Sequence, residues 1–231
     1  MDELFFNLFG QPLGTDTGTQ VSLYAVSTLL TCFALLLLAR RNDLGWWAQI
    51  LAVFAGPLAI ALQYDYAMLL LAAPAMGTAA FGLWKFSKSP NVGRFGRAVP
   101  VHGFSVKSLI WGAVLTLVFT ALKLGPMLTT GFAFSQNVLN IWILAALEAV
   151  VLAALIGIAN GLRWAWLAIT ISAVAYVAIL FTNAPALATL GLLVFQFLAS
   201  LYGWFCWRQS PADAEPAEAE SNEYPPSPYN A

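Results

Sequence analysis

Seven stretches of almost unbroken apolar residues divide the chain: 21–39, 46–64, 66–86, 106–124, 138–159, 162–182 and 185–207. Each has about the 20 residues that a helix needs to cross a bilayer core of roughly 30 Å, so the pattern predicts seven transmembrane helices. Two breaks are very short. Gln63-Tyr64-Asp65-Tyr66 separates the second stretch from the third, and Thr182-Asn183-Ala184-Pro185 the sixth from the seventh, which makes each pair an antiparallel hairpin. The expected fold is an all-α, polytopic membrane protein.

Composition narrows the class further. Apolar residues make up 60% of the 231 positions and charged ones 9%, against about 25% charged in an ordinary soluble domain, and the mean hydropathy is +0.76. A water-soluble globule is excluded, and membrane lipid is the expected surrounding. The net charge of -1 offers no basic stripe to a polyanion, which excludes nucleic acid as a partner. Cys32 and Cys206 both fall in apolar runs and read as isolated thiols rather than a disulfide framework.

Where the basic residues fall sets an expected orientation. With the N-terminus outside and the C-terminus in the cytoplasm, Arg40, Arg41, Lys85, Lys88, Arg94, Arg97, Lys107, Arg163 and Arg208 all lie inside and Lys123 alone lies outside, in keeping with the retention of positive flanks on the cytoplasmic side. Residues 1–20 carry Asp2 and Glu3 and no basic n-region, so they read as an extracytoplasmic extension before a retained first helix. Residues 87–105 read as a basic, solvated cytoplasmic connector containing His102, and 208–231 as a Pro/Ala/Glu/Ser tail too polar to fold.

The flanks of that connector look related. Tyr24 precedes Trp46 by the same interval that Trp142 precedes Trp164, and Phe81-Gly82-Leu83-Trp84-Lys85-Phe86 resembles Tyr202-Gly203-Trp204-Phe205-Cys206-Trp207. Aligned this way, residues 21–86 and 138–207 are two parallel three-helix repeats joined by an inverting helix at 106–124, a 3+1+3 plan of the kind that places substrate between repeats near the midplane.

Catalytic and nucleotide-binding signatures are missing: there is no phosphate loop, nucleophile elbow, zinc-protease motif or cysteine cluster. No catalytic residue, metal or cofactor is expected, and the chain does not read as an enzyme. Glu148 is the one carboxylate in the middle of a predicted helix. It reads either as a proton or ligand group or as a hydrogen-bonded structural acid, with no basic residue expected at its depth. Uncharged polar and aromatic residues offer a binding site instead: Trp46, Gln49 and Tyr64 on the second helix, Asn160 at the end of the fifth, Trp164 and Tyr176 on the sixth and Gln196 on the seventh. Amides in a bilayer must face protein, water or ligand, and Pro57 suggests an irregular, cavity-facing second helix. Trp46, Trp47, Trp84, Trp164, Trp166, Trp204 and Trp207 fall at the cytoplasmic ends of their helices, where most are expected to form an interfacial belt.

Leu8-Phe9-Gly10-Gln11, Arg40-Arg41 followed by Trp46-Trp47-Ala48-Gln49-Ile50-Leu51, Tyr66-Ala67-Met68-Leu69-Leu70-Leu71 and the paired Gly82-Leu83-Trp84 and Tyr202-Gly203-Trp204 resemble the PnuC family of vitamin transporters, over residues 5–208. The resemblance implies the 3+1+3 fold, a homo-oligomer (a trimer), and facilitated diffusion of nicotinamide riboside, thiamine or riboflavin with trapping by intracellular phosphorylation. The nicotinamide riboside branch carries W-x-x-W followed by Asn on the sixth helix and a Gln on the third. Here the sixth reads Trp164-Ala165-Trp166 with Ile171, and Ala72 stands on the third. The Leu-Phe-Gly-Gln and Trp-Ala-Gln stretches look more like the riboflavin-transporting branch, often called RibM or PnuX. Riboflavin is therefore the expected substrate, nicotinamide riboside the alternative, and the binding subunit of a multi-component vitamin importer the alternative of another class.

Overall fold

The computed structural model describes residues 18–64, 69–89, 92–93, 96–129, 138–181 and 187–208. Seven long helices run through them: α1 (Gly18–Ala39), α2 (Leu44–Val53, continued by a π-helical turn Phe54–Leu58 and by Ala59–Tyr64), α3 (Leu69–Ser87), α4 (Val106–Thr129), α5 (Val138–Ala159), α6 (Trp164–Phe181) and α7 (Leu187–Cys206). Among the described residues the only strands are the two-residue β1 (Val92–Gly93) and β2 (Gly96–Arg97), an antiparallel pair in the α3–α4 connector. The all-α fold thus follows the hydropathy pattern, with most helix ends moved by one to three residues. Leu44–Leu62, Val106–Gly125 and Trp142–Ala159 are each long and apolar enough to cross a membrane.

α4 departs most from its expected bounds. It continues to Thr129, five residues past its expected end, because Leu124-Gly125-Pro126-Met127-Leu128 stays apolar and carries no charge to stop it. Lys123 therefore sits within a helix rather than at an outer boundary.

Pro57 acts on α2 through its missing N–H, which removes one ladder bond; the helix widens there into a π turn instead of breaking. The widened turn is packed against α1 at Gly56. A Cβ on Gly56 would lie 2.4 Å from Ser27 Cβ, and Ser27 Oγ donates to the Ala52 carbonyl at 2.7 Å.

α1 packs on α2 and α7, α5 packs on α6 and α3, and α4 leans mainly on α5. The turns joining α1 to α2 and α5 to α6 are built alike, bond for bond, 120 residues apart. Arg41 N–H donates to Leu38 O at 2.9 Å and Gly161 N–H to Ile158 O at 2.9 Å; Asn42 N–H donates to Leu37 O at 3.0 Å and Leu162 N–H to Gly157 O at 2.8 Å. Trp46 N–H donates to Asp43 O and Trp166 N–H to Arg163 O. Both turns pass through positive φ, 56° at Arg41 and 74° at Gly161. The match continues into the bilayer span, where Ser27 donates to Ala52 and, at the equivalent place with the donor exchanged, Ser172 Oγ donates to Leu147 O at 3.1 Å. Trp46 thus corresponds to Trp166, and the expected pairing of Trp46 with Trp164 is out by two residues.

The α3–α4 connector is not a solvated loop along its whole length. Ala98 and Val99 are buried, Val99 within the main apolar cluster. Ser89 Oγ donates to the Ala98 carbonyl, and His102 N–H donates to Gly161 O at 2.8 Å. The stretch is a strap across the α5–α6 turn, and it explains the glycine there. A Cβ on Gly161 would lie 1.9 Å from the Pro100 carbonyl oxygen, whereas Arg41, in the matching turn, carries a side chain at a similar φ.

Candidate functional site

Trp46 and Trp166 each lie in the first turn of a helix, and each indole is fully buried against a glycine of the following helix. A Cβ on Gly82 of α3 would meet Trp46 Cε3 at 2.3 Å, and one on Gly203 of α7 would meet Trp166 Cε3 at 2.3 Å. An aromatic one turn further along completes each nest. Trp46 lies edge-on to Phe86 at 5.7 Å and 71°, and Trp166 to Trp207 at 5.5 Å and 74°. All four rings belong to one continuous apolar cluster that also takes in Leu35, Leu38, Leu155 and Ile158. They form a floor at the end of the bundle where most of the basic residues gather, hereafter the basic end. The interfacial belt expected of these tryptophans is therefore reduced: Trp47 and Trp84 are half exposed, whereas Trp46, Trp164, Trp166 and Trp207 are buried.

One helical turn from each indole–glycine nest, toward the middle of the span, lies a layer of buried uncharged polar groups. Gln49 follows Trp46 on α2 and Thr78 precedes Gly82 on α3; Thr170 follows Trp166 on α6 and Ser200 precedes Gly203 on α7. In the second half the polarity is satisfied internally, by Thr170 and Ser200 at 2.9 Å and by Thr170 donating to Trp166 O at 2.8 Å. In the first half Thr78 Oγ1 donates to Pro74 O at 2.8 Å, but Gln49 Oε1 is buried without a donor. The indole N–H groups of Trp46, Trp166 and Trp207 are likewise buried and unpaired. Leaving a buried polar atom unmatched costs about 1–3 kcal/mol, so each of these four atoms calls for a polar partner of its own.

The expected site residues do not all come together here. Trp46 and Gln49 do. Trp164 is turned to α4: its Nε1 donates to Ser108 Oγ at 3.0 Å and its ring lies over Gly112. This role has no counterpart in the first half, where Leu44, at the matching position, is 56% exposed. Asn160 Nδ2 donates to Ile156 O at 2.8 Å and caps its own helix. Tyr176 and Gln196 are half-buried, further along α6 and α7. The Tyr64 side chain lies outside the described residues. Glu148 is not a solitary acid. It forms an ion pair with Lys123, which α4 carries to its depth because the helix runs on to Thr129. Thr78, Thr170 and Ser200 complete the layer. Thr170 is visible in the sequence as a polar residue within the sixth helix, and the signal for Thr78 and Ser200 is a small polar residue one turn before Gly82 and Gly203.

The family model described as Nicotinamide mononucleotide transporter matches residues 22–209. The chain belongs to that family. The nicotinamide mononucleotide transporter family match spans all seven helices, the floor and the polar layer. Among solved structures the chain is similar to one titled "Crystal structure of the Vitamin B3 transporter PnuC", at 14% identity, with 81% of each chain covered and a TM-score of 0.59, a likeness of fold. No curated protein matches significantly. The PnuC resemblance read from the sequence holds at the level of the family, and nothing in these comparisons points to the riboflavin branch; they agree better with the alternative substrate.

Proposed function

We propose that the protein is a membrane transporter for nicotinamide riboside, moving it by facilitated diffusion, with net uptake drawn by phosphorylation inside the cell. The observation that carries this reading is the uncharged polar layer above the aromatic floor. A carboxamide N–H is the natural donor for Gln49 Oε1, which is buried without one. The family description names the mononucleotide. A phosphate, however, requires basic partners within the span, and Lys123, the described cation there, is already paired with Glu148. That contrast favours the riboside over its phosphate. The vitamin B3 title of the similar structure supports the same substrate class, and riboflavin has no comparable support. The matched turns support reading the chain as two parallel three-helix units with α4 as inverter. The clustering of Arg40, Arg41, Lys85, Lys88, Arg97, Lys107, Arg163 and Arg208 at one end supports a cytoplasmic basic end and an outside N-terminus.

Purified protein in liposomes, with no other subunit and no ATP, is expected to give saturable entry of labelled nicotinamide riboside and none of riboflavin. Riboflavin entry without the riboside overturns the assignment. Failure of both without an added ATPase subunit favours the multi-component importer. Gln49→Ala is expected to weaken riboside binding about tenfold, the equivalent of one hydrogen bond to a buried amide, measured by equilibrium binding in detergent.

A further inference from the structure

We propose that the basic end carries a binding site for a phosphate-bearing anion, formed by Arg163 and Arg208 around Trp204, and that its occupant is the headgroup of an anionic phospholipid. Arg163 lies in the α5–α6 turn, immediately before α6, and its guanidinium carbon sits 3.7 Å from the centre of the Trp204 ring. Arg208 follows Trp204 by four residues, one turn along the same face at the end of α7. Among the described residues neither arginine has a carboxylate partner, and the Arg163 Nε is shielded from solvent with no acceptor. Burial, and then the charge of Arg208, push the pKa of Arg163 down.

Two other basic side chains at this end also meet aromatic residues. Arg40 Nε donates to the Tyr202 hydroxyl at 3.4 Å, and Lys88 Nζ stands 4.8 Å over the Trp84 ring. Arg163 keeps an unpaired Nε beside Trp204, and Arg208 stands exposed four residues after Trp204. Guanidinium forks match the oxygens of a phosphate, which accept two parallel N–H bonds. The N-terminus of α6 adds a positive dipole end with no acidic residue in its first turn.

The surroundings select a lipid source. Tyr202 and Phe205, on the neighbouring faces of α7, are exposed. In a membrane protein those faces are covered by acyl chains, so the arginine pair opens at the level where headgroups lie. A free phosphate gains the same charge contacts but none of this apolar cover. Residues 209–231, with Asp213, Glu215, Glu218, Glu220 and Glu223, are the competing source of anionic oxygens.

The test is native mass spectrometry of the delipidated full chain titrated with phosphatidylglycerol, phosphatidylcholine or inorganic phosphate. One tight phosphatidylglycerol is expected, with phosphatidylcholine at least tenfold weaker. Arg163→Gln/Arg208→Gln should lose that binding at least tenfold, and Arg208→Gln alone, at an exposed helix end, should weaken it with the fold unaffected. Equal binding by the variants overturns the site. Inorganic phosphate binding as tightly as phosphatidylglycerol overturns the lipid assignment. Phosphatidylglycerol binding that appears only after residues 209–231 are removed assigns the arginines to the acidic tail and overturns it as well.

Discussion

Gly82→Ala is expected to destabilise the protein by about 3 kcal/mol, the upper part of the range for an overpacked core. The added methyl would enter the Trp46 indole at 2.3 Å, and the indole cannot retreat because it is fully buried and backed by Phe86. Gly203→Ala should cost about as much through Trp166. The diagnostic measurement is a double-mutant cycle by denaturant titration in mixed micelles. With Trp46→Ala already in place, Gly82→Ala should cost less than about 1 kcal/mol, since its clash partner is gone. Full stability of Gly82→Ala with Trp46 present would show that the nest does not form.

Glu148→Leu is expected to cost about 3 kcal/mol, the lower edge for breaking a buried ion pair, because Lys123 is left charged within the membrane span. Glu148 is 49% exposed on the isolated chain, but it stands in the middle of an apolar span, where lipid rather than water is the expected surrounding and the usual small value of a surface pair does not apply. Lys123→Leu/Glu148→Leu should return stability to within about 1 kcal/mol of the parent, since removing both charges leaves nothing unpaired. The same liposome assay separates structure from transport. Riboside uptake by the folded double variant is expected to persist; its loss would give Glu148 a transport role.

The helices were legible because a bilayer asks for long apolar runs, and the seven runs have that length. What the runs could not tell was inside from outside. In a membrane protein the faces toward lipid and toward neighbouring helices are equally apolar, so hydropathy does not separate buried Trp46 and Trp166 from half-exposed Trp47 and Trp84. The separating signal is steric: a glycine on the next helix at Gly82 and Gly203, each followed four residues later by an aromatic. The expectation that no basic residue stands at the depth of Glu148 failed for a related reason. Its partner became visible only once α4 was known to pass Lys123 and continue to Thr129, which sets the two antiparallel helices in register. In the candidate site, Trp46 and Gln49 were identifiable as an aromatic and an amide one turn apart. Trp164 was not separable from them, since its engagement with Ser108 and Gly112 depends on where α4 packs, which local patterning does not encode.

The strap has a practical bearing on how the protein can be engineered. A connector of this composition is a usual place for an epitope tag or a fluorescent insert, yet an insertion between Ala98 and His102 would pull Val99 from the apolar cluster and His102 from Gly161. The same anchoring shields that stretch from proteases, which must lift a chain clear of its neighbours to cut it. The strap is also fastened to only one of two turns that are otherwise built alike. Any side chain placed at Gly161 would run into the Pro100 carbonyl and push the strap off its turn.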